Sequence, residues 1–372
     1  MRLLHIYGGN RYGGVERLLA TLAGQAGEAP AVRQEFALCF DGRLRQELLA
    51  AGAVVRELGG VRVSRPWQVR RARRRLAEAL AEARPDLALC HAWWSYAIFA
   101  PALRRAGVPT ALWAHNCITG RGWLEAWARR RRPDFAVTWG TYMAASLESM
   151  FPGVRIEIWR PPVAAPAPPA ADARQRLRRE LATDDDAVVI LQASRLEAWK
   201  GQGLLLEALA RLGRERAWVA WIAGGAQHPE EARFASTLRG QAEALGVAER
   251  VRWLGERRDV AALMQAADIF CQPNTSPEPF GLVFVEALAA GLPVVTTAGG
   301  GASEIVTADC GLLADAQPEA VAAALGALLD DAARRRRLAR AAPARAAALC
   351  DPRRQMRDFQ TRIAGAGEGA GG

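Results

Sequence analysis

The sequence predicts two doubly wound α/β domains in series, their strand ends facing each other across a cleft. Apolar runs of strand length alternate with stretches of helical periodicity, and the alternation starts afresh after a proline-rich break. At 372 residues the chain is also longer than one core usually organises.

In the first half the predicted strands are RLLHIY (2–7), EFALCF (35–40), DLALCHAW (86–93), TALWAHN (110–116) and FAVTWG (135–140). Helical stretches such as VERLLATLAGQA and RRLAEALAEA lie between them, the pattern of a parallel sheet covered on both faces. RPPVAAPAPPA (160–170) interrupts this with five prolines and no charge after Arg160. The second half resumes with AVVILQAS (187–194), WVAWIAGG (218–225), RVRWLG (250–255), DIFCQPN (268–274), PVVTT (293–297) and GLLA (311–314). The expected boundaries are a first domain at 1–160, a linker at 161–171, a second domain at 172–350 and a C-terminal segment at 351–372.

No apolar run approaches the roughly 18 residues of a membrane span, and MRLLHIYGG enters a strand directly without a signal-peptide pattern, so a cytoplasmic location is expected. The six cysteines are scattered, with no CxxC pair to suggest zinc or redox work. Residues 1–160 carry 24 arginines against 13 acids, whereas 161–372 carry 25 basic residues against 26 acids, so the net charge of +10 arises entirely in the first half. RRARRR (70–75) and RRRR (129–132) read either as solvated helix faces or as contacts for an anionic acceptor or an anionic membrane surface. WLEAWARRRR (123–132) adds Trp123 and Trp127, the composition of an interfacial helix. No nucleic-acid-binding motif accompanies the arginines.

Open α/β sheets bind ligands beyond their strand C-termini. Asn10, His91, His115, Asn116, Arg195, Lys200 and Asn274 all fall at or just past such ends. GGNRYGGVER (8–17) is a glycine-rich strand-to-helix turn whose Gly13 and Gly14 allow backbone amides to approach an anion. It is not GxGxxG, although Asp41 loosely imitates the ribose-binding acid of a nicotinamide site. In ASRLEAWKGQ (193–202), Arg195 and Lys200 are close enough to converge on one diphosphate, Lys200 being the only lysine in the chain. An ion pair from Arg195 to Glu197 is the structural alternative. In EPFGLVFVEALAAGLPVV (278–295) a helix is expected to begin near Phe280 or Gly281, aiming the amides of Gly281, Leu282 and Val283 at an anion, with Glu278 at its mouth and Glu286 suited to ribose or sugar hydroxyls.

GGVER, SRLEAWKGQ, ADIFCQPNTSPEPFGLVFVEALAAGLPVVTT and GGGASEIV, in this order and spacing, resemble the retaining, nucleotide-sugar-dependent glycosyltransferases of family 4, which have the GT-B fold. The resemblance implies that Arg195 and Lys200 hold the donor diphosphate with the amides after Phe280, that Glu286 binds the donor ribose, and that Glu278 with Phe280, Gly281, Leu282 and Val283 meets the sugar and phosphates. It places Gly13 and Gly14 on the far side of the phosphates and His115 near the transferred sugar, leaving Asn10, His91 and Asn116 for the acceptor side. His115, Glu278, Arg195 and Lys200 are the implied catalytic set, working without metal or cofactor on a nucleotide-diphosphate sugar. The implied acceptor is a glycan, glycolipid or small molecule, with peripheral contact to an anionic inner membrane face as a further expectation. PRRQMRDFQTRIA (352–364) is implied to pack back across the cleft, and GAGEGAGG is expected to be disordered. The chain departs from the family pattern at Asn116, at Pro161-Pro162 and in a longer loop before Glu278. A nicotinamide oxidoreductase, a pyridoxal-dependent phosphorylase using Lys200, and a non-catalytic sugar-binding protein are the rival readings.

Overall fold

The structure is a computed structural model and describes residues 1–9, 12–118, 122–213, 215–226 and 228–368. Each apolar run read above as a strand is one. The chain divides into two units, Met1–Pro162 with Asp351–Gly372, and Val163–Cys350.

The first unit runs β1 (Arg2–Tyr7), α1 (Gly14–Gly24), β2 (Arg33–Leu38), α2 (Arg43–Ala50), β3 (Val54–Glu57), α3 (Pro66–Glu82), β4 (Leu87–His91), α4 (Trp93–Arg105), β5 (Thr110–Trp113), α5 (Trp123–Arg129), β6 (Phe135–Thr138), α6 (Thr141–Met150) and β7 (Ile156–Ile158). Its strands form one sheet in the order β3-β2-β1-β4-β5-β6-β7, every neighbouring pair parallel. The central strands are buried on both faces, which is why they read as continuous apolar runs. Strands β3 and β7 escaped the sequence reading because VVRE and IEI, at the sheet edges, are short runs that carry charged residues.

The second unit runs α7 (Ala173–Glu180), β8 (Val188–Ala193), α8 (Gln202–Ala210), β9 (Trp218–Ala223), α9 (Pro229–Ala244), β10 (Val251–Gly255), α10 (Val260–Ala266), β11 (Ile269–Gln272), α11 (Leu282–Ala289), β12 (Val294–Thr297), α12 (Ala302–Ile305), β13 (Gly311–Ala314), α13 (Pro318–Asp330) and α14 (Ala332–Cys350). Its sheet, also fully parallel, has the order β10-β9-β8-β11-β12-β13. Leu205, Leu209, Trp218, Ile222, Ile269 and Leu325 stand in its core. In each sheet the winding reverses once, between β1 and β4 and between β8 and β11, and ligands of such sheets sit at that reversal.

The last helix, α15 (Pro352–Glu368), packs on the first unit. Trp159 Nε1 donates to the carbonyl of Gln355 at 2.8 Å, and Phe359 lies against Trp159 and Trp113 at ring distances of 5.1 and 6.1 Å. The helix includes part of the glycine-rich segment expected to be disordered, and residues 369–372 lie outside the described residues. Among the described residues no helix is long and apolar enough to cross a membrane.

The acidic run at 184–186 is the turn entering β8, at the end of the sheet away from the reversal loops. Its shape is set by Arg178, only 1% exposed, whose guanidinium donates to the carbonyls of Asp185, Ala187 and Ala266 and to Asp268 Oδ2. Asp268 also accepts from the Val189 amide at 2.8 Å, so one buried ion pair ties α7, α10 and the starts of β8 and β11 together. Arg178→Met should leave three carbonyls without their donor and Asp268 with Arg174 alone, 2.7 Å away, and lower the stability of this unit by about 1–3 kcal/mol. Calorimetry should show the transition of the second unit falling while that of the first stays in place.

Candidate functional site

In the second unit the site is built on the two loops that follow β8 and β11. After β8 the chain passes Ser194 and Arg195 and makes a single turn at Ala198–Lys200. Gly201 then takes φ +75°, and a Cβ there would lie 1.8 Å from the Pro273 carbonyl oxygen. Only glycine lets this loop close onto the segment after β11. Two fully buried glutamines fix it from behind: Gln202 donates to Ser194 Oγ and the Arg195 carbonyl, and Gln192 donates to the Lys200 carbonyl at 2.8 Å.

Lys200 places Nζ 2.8 Å from Glu278 Oε2 and 3.8 Å above the centre of the Trp199 ring. Asn274 Nδ2 donates to the same carboxylate oxygen at 2.8 Å, and Gln272 Nε2 donates to Asn274 Oδ1 at 3.0 Å. Burial pushes the ammonium of Lys200 below the ordinary lysine range; Glu278 opposes that shift and the nearby charge of Arg195 adds to it. Arg195 itself is 40% exposed and paired with Glu197 at 2.9 Å, the structural alternative read from the sequence. Such a surface pair is weak enough to be exchanged for a stronger anion.

Gly281, at φ +101°, caps α11 without a side chain, so the helix opens at Leu282, next to Glu278. The turn after β12 clamps this loop: Gly301 N donates to the Glu278 carbonyl at 2.7 Å, and a Cβ on Gly300 would lie 2.2 Å from that oxygen. Phe280 is 1% exposed, so its ring is core and only its backbone faces the loop. Glu286 is half-buried on α11. Gln192 and Gln272 were missed in the sequence reading. Their signal was there, a glutamine near the end of each of two otherwise apolar central strands, VVILQA and IFCQ.

In the first unit the predicted residues have partners within the chain. The Gly13 amide donates to Glu16 Oε2 at 2.9 Å, which caps the start of α1. His91 has both ring nitrogens engaged, Nε2 with His5 Nδ1 at 2.8 Å and Nδ1 with His115 Nε2 at 3.0 Å, so it stands between the other two rings. His115 is 5% exposed at the end of β5, and its Nδ1 is buried without a hydrogen-bond partner. Asn116 is exposed beside it, and Asn10 lies outside the described residues.

An open groove of about 530 Å³ runs between α3 and α5, lined by Val69, Arg70, Arg73, Trp123, Trp127 and Arg130 among others. Trp123 is 70% exposed and Trp67, on α3, 65%. Arg73 donates Nε to the Ile98 carbonyl at 2.7 Å, while its Nη2 is buried without a partner. Burial lowers its pKa, and so do the charges of Arg131 and Arg105. Among the described residues no group of three or more His, Cys, Asp or Glu side chains is placed to hold a metal ion.

Burial holds His5 and His115 down to about 3, and His91 is also depressed, by burial first and then by its two neighbours. The unfolded chain protonates these rings near pH 6.5 and the native chain does not, so native stability falls as pH drops from about 6.5 toward 3. Denaturant unfolding between pH 7 and 4.5 should show up to about 1.4 kcal/mol per pH unit from each histidine. His5→Phe should remove about one third of that slope, and an unchanged slope would contradict the buried neutral rings.

Residues 12–165 match Glycosyltransferase Family 4, and residues 173–345 match Glycosyl transferases group 1. A D-inositol 3-phosphate glycosyltransferase of Xylanimonas cellulosilytica is 40% identical over 197 residues, 52% of this chain and 45% of that protein. A GDP-mannose-dependent alpha-(1-6)-phosphatidylinositol monomannoside mannosyltransferase of Mycolicibacterium smegmatis is 34% identical over 215 residues, 55% of this chain and 52% of that one. The chain spans about half the length of the curated relatives it matches. Among solved structures, Anabaena HepE in complex with UDP-glucose superposes with a TM-score of 0.86 at 22% identity, over 98% of this chain and all of the other. Two parallel doubly wound sheets, each half matching its own glycosyltransferase family, make the assignment: the chain belongs to the glycosyltransferases of GT-B fold.

Proposed function

We propose that this protein transfers a sugar from a nucleoside-diphosphate sugar to an acceptor hydroxyl with retention of anomeric configuration, in the biosynthesis of a glycan, glycolipid or glycoconjugate. The observation that carries the reading is the cation pair Lys200 and Arg195 on the loop after β8, with the uncapped start of α11 on the loop after β11. Phosphate oxygens recruit such groups: the ammonium as a compact charge, the guanidinium as a fork, the helix start as aligned amides.

Charge grows on the diphosphate as the bond to the anomeric carbon breaks. Lys200 and Arg195 stabilise that charge, so no metal ion is required. The diphosphate displaces Glu197 from Arg195, which is exposed and free to turn, whereas Lys200 is already fixed against Trp199 and Glu278. Glu278 and the backbone from Phe280 to Val283 meet sugar and phosphate, Glu286 meets the ribose, and His115 offers its bare Nδ1 to a substrate hydroxyl. Binding of UDP or UDP-glucose in HepE structures supports this class of donor.

The acceptor is read as anionic, in keeping with the charge of the first half and with the inositol phosphate and phosphatidylinositol acceptors in the relatives' names. Trp67 and Trp123, exposed among the arginines of α3 and α5, suit peripheral contact with an anionic bilayer.

Calorimetric titration with UDP and with GDP, in the presence of chelator, tests the donor site. At least one should bind, and Lys200→Ala should weaken it by roughly 1.5–3 kcal/mol, about 10- to 150-fold. Lys200→Arg should weaken it too, because the fork does not fit the ammonium's place. Unchanged affinity in Lys200→Ala, or binding lost to chelator and restored by magnesium, would overturn the reading. Co-sedimentation with anionic and neutral vesicles tests the membrane contact. Binding should be confined to anionic vesicles and fall by about 1 kcal/mol for each of Arg70 and Arg130 replaced; equal, negligible binding to both would remove it.

A further inference from the structure

His5, His91 and His115 are three of the four histidines in the chain, and they form one hydrogen-bonded row through the middle of the first sheet. The register explains the row. His91 pairs with Tyr7 on β1 and with Trp113 on β5, so His5 lies two residues before one partner and His115 two residues after the other. Side chains two apart in a strand share a face, so all three rings lie on one side of β1, β4 and β5, stepping toward the strand ends. They stack as they go, with centroids 5.1 Å apart for His5 and His91 and 5.2 Å for His91 and His115.

The far end of the row is held by Gln34 on β2. Its Nε2 donates to the Leu22 carbonyl, which can only accept, so its Oε1 is the atom turned to His5 Nε2 at 3.1 Å. A carbonyl oxygen cannot donate, so His5 carries its proton on Nε2 and its Nδ1 accepts. His91 Nε2 must then be the donor to His5 and His91 Nδ1 the acceptor. The same step makes His115 Nε2 the donor and leaves His115 Nδ1 bare. That nitrogen is the buried, unpartnered acceptor already described. The rings otherwise meet Tyr7, Phe36, Trp113, Trp139 and Phe359, and no charged side chain is among their described hydrogen-bond or ring partners.

We propose that Gln34, His5 and His91 act as positioning residues, a row that locks the tautomer of His115 so that Nδ1 always presents a lone pair to a substrate hydroxyl. One amide, three strands away in the sheet order from the ring it governs, sets the polarity of all three rings. The row is a lock and not a proton path to solvent, because it ends on an amide carbonyl that can neither take nor release a proton. The partner implied for His115 is a hydroxyl donor, and an acceptor group such as a carbonyl or carboxylate would meet lone pair against lone pair. The use of that hydroxyl in catalysis rests on the proposed glycosyl transfer; the lock itself does not.

The test is nuclear magnetic resonance of the full-length protein labelled with ¹⁵N-histidine. The expected result is three imidazole protons, all on Nε2, with N–N couplings across the hydrogen bonds joining His91 Nε2 to His5 Nδ1 and His115 Nε2 to His91 Nδ1. Exposed His228 supplies the averaging reference in the same spectrum. Gln34→Met removes the terminal acceptor and His5→Phe keeps the stacking but breaks the row; in each, a proton should appear on His115 Nδ1 in part of the population. A proton on His115 Nδ1 in the unaltered protein, or a His115 spectrum unmoved in both variants, would overturn the lock. Turnover in Gln34→Met should fall about tenfold while nucleoside diphosphate affinity, set by Lys200, stays as it was. Failure of diphosphate binding in the unaltered protein would defeat the proposed function and leave the spectroscopic result to stand or fall alone.

Discussion

Lys200 and Glu278 are both largely withdrawn from water, and a buried ion pair persists only when its remaining hydrogen-bonding capacity is met. Here Asn274 satisfies the carboxylate, Gln272 orients Asn274, and Gln192 holds the backbone of Lys200, so the pair is the visible part of a network spanning the reversal between β8 and β11. The geometry of the two loops follows from it. Gly201 has to be glycine for the loop after β8 to approach Pro273, and the glycines after β12 have to be small for Glu278 to be clamped from the other side.

The first unit solves the corresponding problem with neutral groups. At its own reversal, between β1 and β4, it buries three uncharged imidazoles in a row. A buried imidazole costs little while it stays neutral and each nitrogen finds a complementary neighbour. Rows of this kind have a direction, because each ring donates one way and accepts the other, and a direction needs an end that cannot reverse. Gln34 is that end, its own orientation fixed by the Leu22 carbonyl. The remaining cost is concentrated on one atom, His115 Nδ1, where a ligand can relieve it.

Most of the fold was legible because parallel sheets buried on both faces write themselves as apolar runs, and the central strands of both sheets are of that kind. The edges β3 and β7 were not legible, since they are short runs that carry Arg56 and Glu57 or Glu157. The charged residues after β8 and β11 could be named from position alone, but their pairing could not: nothing in the spacing of Lys200 and Glu278 says that they touch. Likewise Gly13 and Gly14 read as an open anion cradle, and only the structure places Glu16 across the Gly13 amide. His5 went unremarked because it lies inside a strand instead of at its end. Parity along LLHIY, LALCH and LWAH would have placed the three histidines on one face, but only once the strand order was known.

The scarcity of lysine acquires a physical sense in this setting. The other 48 basic residues are arginine, and several of them exploit the fork: Arg178 spans three carbonyls and a carboxylate, and Arg216 and Arg257 grip Asp330 and Asp259 through two nitrogens each. None of these places is confined in the way that the space between the Trp199 ring and Glu278 is. There the cation has an indole face 3.8 Å on one side and a carboxylate oxygen 2.8 Å on another, as Arg43 has between the Tyr12 ring and Glu47, but Lys200 is only 13% exposed where Arg43 is 43% exposed, and the enclosed place suits the compact ammonium. A sequence that uses arginine everywhere else keeps lysine at the position where size, and not charge, is the constraint.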